Sequence, residues 1–279
     1  MADCTPFRLA QQVRAFRNQF LQDGARPFAD VLPDQRIQDA FDQEGFSFRD
    51  GIYNPLVTLR LFRAQALAPD PSCRAAVARF RAERAADGLP VPSADAGGYC
   101  KARGRLPEAV RARLTRQAGQ QRADVARPEW RWRGRRVLLA DGSTARMPDS
   151  ADNRHAYPPP AGPRHAVAFP ILRFLVVLCL TTGALLDLAL GPYQGKQTGE
   201  NSLFRTLWDL LRAGEVVLGD RHFCSYFDVA LLRQRGVDLV VRLHQRRPVN
   251  FRRGGRLGRD DRLVVWRRPP RPAWLDAAT

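Results

Sequence analysis

The sequence predicts an α/β protein in which a helical N-terminal region, residues 1–125, precedes a mixed-sheet core, residues 126–243. Three observations predict it. Before about residue 125, apolar residues recur at three- and four-residue steps, the period of a helix with one buried stripe. Beyond it, short aliphatic runs bounded by Gly, Asp and Thr replace that period, as buried strands do. The chain has 279 residues, 44% of them apolar, enough for a real core in one large domain or two ordinary ones.

In the helical region, Phe7, Ala10, Val13, Phe16 and Phe20 form the first stripe, between Phe7 and Leu21. After Pro27 and Pro33, the trio Ile37, Ala40 and Phe41 predicts a second helix. Asn54-Pro55 opens a third, since Asn accepts a hydrogen bond at a helix N-cap and Pro at the first position lacks an N–H that would go unused. It runs through Leu56, Leu59, Leu61 and Phe62 and stops before Pro69 and Pro71. A fourth follows from Cys73 to Ala86, closed by Gly88, Pro90 and Pro92. Ser93 is expected to cap a fifth, through Tyr99 and Lys101, and Pro107 to start a sixth from Glu108 to Gln117.

The run from Arg136 to Ala140 then reads as a buried strand that ends in an Asp141-Gly142 turn. A Pro-rich loop, Tyr157 to Pro160, leads to two strands, Ile171 to Leu180 and Leu185 to Leu190, joined as a hairpin at Thr182-Gly183. A helix from Gly199-Glu200 to Arg212, a strand Val216 to Asp220, a helix Tyr226 to Arg235 and a strand Val237 to Leu243 complete the order βββαβαβ. Three consecutive strands followed by alternating helix and strand is the order of a ribonuclease H-like core.

Charge narrows the function. Forty-five basic residues against 28 acidic give a formal net charge of +17, a field that attracts polyanions and makes nucleic acid the natural partner. All but two of the basic residues are arginines, the exceptions being Lys101 and Lys196. Five scattered cysteines, none in a C-x-x-C pair, read as reduced apolar fillers, and four histidines without metal-ligand spacing argue against structural zinc. The longest apolar stretch, residues 166–190, is broken by Pro170, Arg173, Gly183 and Asp187, so no membrane span is expected. Polar residues from Asp3 to Arg14 exclude an ordinary secretory signal, and a cytoplasmic location is expected.

The candidate chemistry rests on Asp141 and Asp220, each placed at the carboxyl end of an apolar strand, where open α/β sheets position ligand-binding side chains. Two converging carboxylates suit Mg²⁺ or Mn²⁺ and phosphodiester chemistry; the competing reading makes Asp141 a turn residue and Asp220 a cap. Asp187, mid-strand, reads as an edge or solvent-facing position. Gly191 to Thr198 lacks Walker A spacing, so Lys196 reads either as a DNA contact or as a solvated loop residue. The stretch from His244 to Arg271 interleaves Arg246, Arg247, Arg252 and Arg253 with Phe251 and Trp266. That is either a phosphate-contacting ribbon with stacking side chains or a solvated tail. Lys101 and Arg103, with the arginines of the helix before them, belong either to a helix-turn-helix-like DNA reader or to the basic side of a helical bundle.

Several runs resemble the bacterial insertion-sequence transposases of the DDE class, insertion sequence four family. They are DGSTARMPD from Asp141, GPYQGKQTGE from Gly191, DRHFCSYF from Asp220 and LHQRR from Leu243, with NPLVTL from Asn54 and YCKAR from Tyr99. The resemblance implies a ribonuclease H-like catalytic core in which Asp141 and Asp220 hold Mg²⁺ or Mn²⁺ and DNA is cut and joined at the ends of the element. It implies double-stranded DNA partners, the element's terminal repeats and the target, a homodimer or a mixed oligomer with full-length copies, and a place at the bacterial nucleoid. The family's third carboxylate, a Glu within an ordered Tyr, Arg, Glu and Lys pattern on a later helix, has no counterpart here: no glutamate follows Glu215. Asp228 and Asp238 come too early, Asp260-Asp261 lies among arginines, and Asp276 stands near the end. Set against the family, the chain resembles a C-terminally truncated or frameshifted copy, with an incomplete core, and residues 244–279 are expected to begin a basic β-rich insertion. Weak or no strand cleavage is then expected. The alternative function is that of a non-catalytic DNA-binding remnant or an inhibitor of the full-length enzyme. Glu200, at a helix start after the third strand, is the acidic residue that would have to complete an unrelated metal-dependent nuclease.

Overall fold

Asn54 and Ser72 set the helical part of the molecule. The Asn54 Oδ1 accepts the Val57 N–H at 2.9 Å and the Ser72 Oγ accepts the Ala75 N–H at 3.1 Å, so each satisfies an amide that the first helical turn leaves without a partner. The computed structural model describes residues 31–48, 50–160, 169–245, 250, 252–259 and 261–276; the helix expected at Phe7–Leu21 lies outside them. Residues up to Ala118 form one compact unit and those from Gly119 another.

The first unit contains α1 (Asp34–Gln43), α2 (Pro55–Leu67), α3 (Cys73–Ala86), α4 (Gly97–Gly104) and the start of α5 (Glu108–Asp124). Two apolar clusters hold it. Ile37, Ala40 and Phe41 meet Leu59, Leu106, Val110 and Leu114; Leu61, Ala76, Val77 and Phe80 meet Tyr99, which is fully buried. Two boundaries differ from the sequence reading. The Ser93 Oγ accepts the Asp95 N–H instead of capping a helix, and α4 begins only at Gly97, whose N–H is taken by Asp95 Oδ2. α5 continues seven residues past Gln117 because nothing from Ala118 to Asp124 breaks it. Gly119, inside that helix, is required by proximity: a Cβ there would lie 1.8 Å from the Leu185 carbonyl oxygen.

The second unit is mixed α/β, built on a five-stranded mixed sheet. Its elements are β1 (Val137–Arg146), α6 (Ala151–Ala156), β2 (Ile171–Cys179), β3 (Leu185–Pro192), α7 (Glu200–Thr206), β4 (Val216–Gly219), α8 (Tyr226–Gln234) and β5 (Asp238–Val241). The strand order is β3-β2-β1-β4-β5, with β2 antiparallel to both β1 and β3 and β4 parallel to both β1 and β5. Gly183, at φ +68°, closes the β2–β3 hairpin where the Thr-Gly pair predicts it. The helix after β3 stops at Thr206 and gives way to a 3₁₀ turn, Trp208–Leu210, short of the expected Arg212. A six-residue helix, α6, capped by Ser150, interrupts the expected βββ run. A two-stranded ribbon, β6 (Gly255–Arg256) with β7 (Arg262–Leu263), follows β5.

The largest departure concerns β1. It does not turn at Asp141-Gly142 but continues to Arg146, because β2 supplies an antiparallel partner for every residue, Asp141 opposite Val176 and Gly142 opposite Leu175. A full ladder of hydrogen bonds outweighs the local turn preference of Asp-Gly.

One face of the sheet carries Leu138, Ala140, Leu175, Val177 and Val217 against Leu203 and Phe204 of α7, Trp208, Phe223 and Leu232 of α8. Phe204 meets Trp208 and Phe223 edge-on, at centroid distances of 6.0 and 5.4 Å. Two of the ion pairs within this unit are largely buried. The Arg136 Nε donates to Glu215 Oε1 at 2.6 Å, and Arg205 grips Asp228 with two hydrogen bonds of 2.8 and 3.0 Å while Trp274 covers its guanidinium at 3.6 Å. Among the described residues, no helix is long and apolar enough to cross a membrane.

Candidate metal centre

β4 ends at Gly219, and Asp220 caps the 3₁₀ turn Arg221–Phe223 that follows. Its Oδ1 accepts the His222 backbone N–H at 2.7 Å and its Oδ2 lies 2.8 Å from the His222 Nδ1. Burial pushes the Asp220 carboxyl up, but the hydrogen bonds from the His222 side chain and backbone, the His222 charge and the Phe223 N–H outweigh it. The net effect holds the group below the usual carboxylate range. The Asn201 Nδ2 donates to the His222 carbonyl at 2.9 Å and ties this turn to α7.

Glu200 reaches the same place from the first position of α7. A Cβ on Gly142 would sit 2.6 Å from its Cγ, 2.7 Å from its Cδ and 2.9 Å from its Oε1, so the carboxylate occupies space that only a glycine in β1 leaves open. One ligand atom each from Glu200, Asp220 and His222 lies within 4.8 Å of the other two. Asp220 and His222 are exposed, with side-chain accessibilities of 48% and 62%, and Glu200 is half-buried.

The sheet brings Asp141 and Asp220 to the same edge. Parallel pairing of β1 with β4 ends at Leu139 opposite Leu218, and Asp141 lies two residues beyond, on the part of β1 that outruns β4. Asp141 is exposed, its Oδ1 accepts the Gly142 N–H at 2.9 Å, and it lies outside the Glu200–Asp220–His222 group. Strand alternation accounts for this: Gly142 faces Glu200, so the Asp141 Cβ points to the other side of the sheet. Asp187 does lie on an edge strand, β3, but it is buried at 7% exposure, with its Oδ1 accepting the Leu188 N–H.

His222 escapes sequence reasoning, which seeks histidines at helical metal-ligand spacing; the available signal was its place two residues after Asp220 in a turn. Glu200 was legible as an acidic residue at a helix start, without any indication that it lies over β1.

The expected DNA-contacting residues fall in different settings. Lys101 is exposed. Arg103 turns inward: it stacks over Phe62 at 4.7 Å and donates to Gln65 Oε1 at 3.3 Å and Cys73 Sγ at 3.2 Å. Lys196 is exposed in the loop after β3, and Arg252 and Arg253 are exposed next to β6. Trp266 is half-buried, edge-on to Tyr226 at 5.6 Å. Arg246 and Arg247 lie outside the described residues.

Residues 132–276, just over half of the chain, match the family described as transposase DDE domain. No curated protein matches the chain.

Proposed function

The chain belongs to the transposase DDE domain family, and on that premise we propose that it serves DNA transposition by cutting and joining DNA phosphodiesters at element ends. The core is read as ribonuclease H-like, a reading supported by the mixed β3-β2-β1-β4-β5 sheet and the two crossovers after β3. The observation that carries the proposal is the convergence of Asp220, Glu200 and His222 at the carboxyl edge of that sheet, next to Asp141.

These residues fit a divalent cation. Two carboxylates and an imidazole form a donor set for Mg²⁺ or Mn²⁺, and the missing Cβ of Gly142 gives the Glu200 carboxylate its place. Such a cation, when bound, lowers the pKa of an attacking water or hydroxyl and offsets the charge that develops on phosphate oxygens. Asp220 binds and orients: its Oδ1 accepts the His222 backbone N–H and its Oδ2 holds the His222 ring at Nδ1. Glu200 supplies the second carboxylate of the group. Asp141, on the exposed part of β1, is the first carboxylate of the family pattern. The net charge of +17 draws DNA to the protein, and Lys101, Lys196, Arg252 and Arg253 are exposed for phosphate contact.

A second reading, DNA binding without strand cleavage, is favoured by one observation: Asp141 lies outside the Glu200–Asp220–His222 group. Both readings are tested by incubating the purified chain with supercoiled plasmid and Mg²⁺ or Mn²⁺, next to an Asp220→Asn variant, and measuring nicking and gel retardation together. Slow nicking that Asp220→Asn abolishes, with binding retained, supports the transposase. Binding without nicking at any metal concentration leaves the second reading, and absence of DNA binding at low salt overturns both.

A further inference from the structure

Among the described residues, the cysteines divide into two kinds. Cys179 and Cys224 are buried fillers, as their scattered spacing suggests, but the helical unit brings Cys73 and Cys100 together from positions 27 residues apart in sequence. Cys73 is the first residue of α3, directly after the Ser72 cap, where free helical N–H groups and the positive end of the helix dipole favour a thiolate. The Arg103 Nη1 donates to its Sγ at 3.2 Å, and the Gln65 Nε2 lies within donating distance at 3.6 Å. The Cys100 side chain, on α4, comes close enough to the same sulfur for the two thiols to share a hydrogen bond. Burial alone would raise the Cys73 thiol; these hydrogen bonds and the Arg103 charge outweigh it and hold the group below the ordinary thiol range. Cys100 is pushed the other way, first by its hydrogen bond with Cys73 and then by burial. Cys100 is exposed and, with Arg103, lines a cleft of about 240 Å³ that includes Phe62, Leu106 and Arg111.

We propose that Cys73 and Cys100 are a nucleophilic and resolving thiol pair, which hydrogen peroxide oxidises to a disulfide that ties α3 to α4. The Cys73 thiolate attacks one peroxide oxygen, the O–O bond breaks, and the departing hydroxide takes a proton to leave as water, giving Cys73 sulfenic acid. The Cys100 sulfur then attacks the Cys73 sulfur, the S–O bond breaks, and a second water leaves with the Cys100 proton. Two thiols and one peroxide become one disulfide and two waters, the two electrons passing from the sulfurs to the peroxide oxygens. Oxidation also changes Arg103 and Gln65, because a disulfide sulfur is a far weaker acceptor than a thiolate. Lys101, the exposed neighbour of Cys100, then stands on a helix fixed to α3. The pair lies wholly in the helical unit and is independent of the transposase reading.

The test is to add equimolar hydrogen peroxide to the reduced, full-length chain, quench, digest without reductant and map thiols by mass spectrometry. The expected product is a Cys73–Cys100 linked peptide about 2 Da lighter than the sum of its reduced parts, with Cys179 and Cys224 unmodified. In Cys100→Ser, Cys73 should accumulate as a sulfenic acid that dimedone traps, at least ten times faster than Cys179 or Cys224 reacts. Oxidation of Cys73 no faster than that of the two buried cysteines, or fast oxidation without the Cys100 link in the unmutated chain, overturns the proposal.

Discussion

Replacing Gly142 by Ala tests whether the Glu200 carboxylate is a working ligand, because it perturbs the proposed site while sparing the fold. The new Cβ would fall 2.6 to 2.9 Å from the Cγ, Cδ and Oε1 of Glu200, closer than real contacts allow, so something must move. The atoms it meets belong to the end of a flexible side chain, and the Gly142 backbone needs no positive φ. Glu200 therefore swings away and the strand stays. A compatible Gly→Ala change also gains about 0.4–1 kcal/mol by restricting the unfolded chain, so net stability should shift by no more than about 1 kcal/mol. Displacing one of three protein ligands should weaken Mn²⁺ binding about 10- to 100-fold, the range that even supporting groups around a metal command. Isothermal titration with Mn²⁺ and urea unfolding of the same preparation measure the two effects separately. Because Gly142→Ala acts through Glu200, it should cost almost nothing further in a Glu200→Gln background, a coupling that a double-mutant cycle reads directly. An unchanged Mn²⁺ affinity in folded Gly142→Ala protein, or full additivity with Glu200→Gln, would refute the reasoning.

Three further outcomes are expected. Gly119→Ala, whose Cβ would meet the Leu185 carbonyl oxygen at 1.8 Å, collides with backbone instead of a movable tip, and should cost about 3 kcal/mol or more in urea unfolding. Asp228→Ala strands the Arg205 guanidinium beneath Trp274 and should cost about 3–5 kcal/mol, whereas Asp149→Ala, which breaks the exposed pair with Arg154, should cost less than about 1 kcal/mol. Burial pushes the Tyr99 phenol up to about 12, while an unfolded tyrosine ionises near 10. The folded state thus holds the proton more tightly, and the stability this brings, roughly 2–3 kcal/mol, is fully present below pH 10 and lost as pH rises through 12. Tyr99→Phe should flatten that alkaline fall, as urea midpoints measured from pH 9 upward would reveal.

Local signals explain which parts of this architecture are legible in the sequence. α3 is readable to the residue at both ends because Ser72 caps it and Gly88, at φ +68°, follows its close. β4 is readable to within one residue, being four apolar or small residues before Asp220, which leaves the strand to cap the following turn. Two of the misread boundaries, the end of β1 and the start of α4, turn on a partner that the local preference does not reveal. Asp141-Gly142 is turn-prone in isolation, and only β2, some 30 residues on, shows that it continues as strand. Ser93 could cap a helix on its own, but Asp95 takes that role by receiving the Gly97 N–H. The site follows the same logic. Asp220 stands out at the end of an apolar run, while the closeness of Glu200 and His222 arises from a crossover and a 3₁₀ turn that leave no periodic trace. Cys73 and Cys100 are hidden for the same reason, sequence spacing being blind to two helices that meet at one sulfur.

The way β1 outruns β4 carries a kinetic consequence. Past Leu139 the described strand has a neighbour only on its β2 side, so the carboxylates gather at an open step in the sheet. Asp220 and His222 face solvent with roughly half or more of their side-chain surface. The rate of capture should accordingly track how quickly each ion sheds its own water. That places Mg²⁺, which dehydrates reluctantly, behind Mn²⁺ in speed even where the two bind with equal strength.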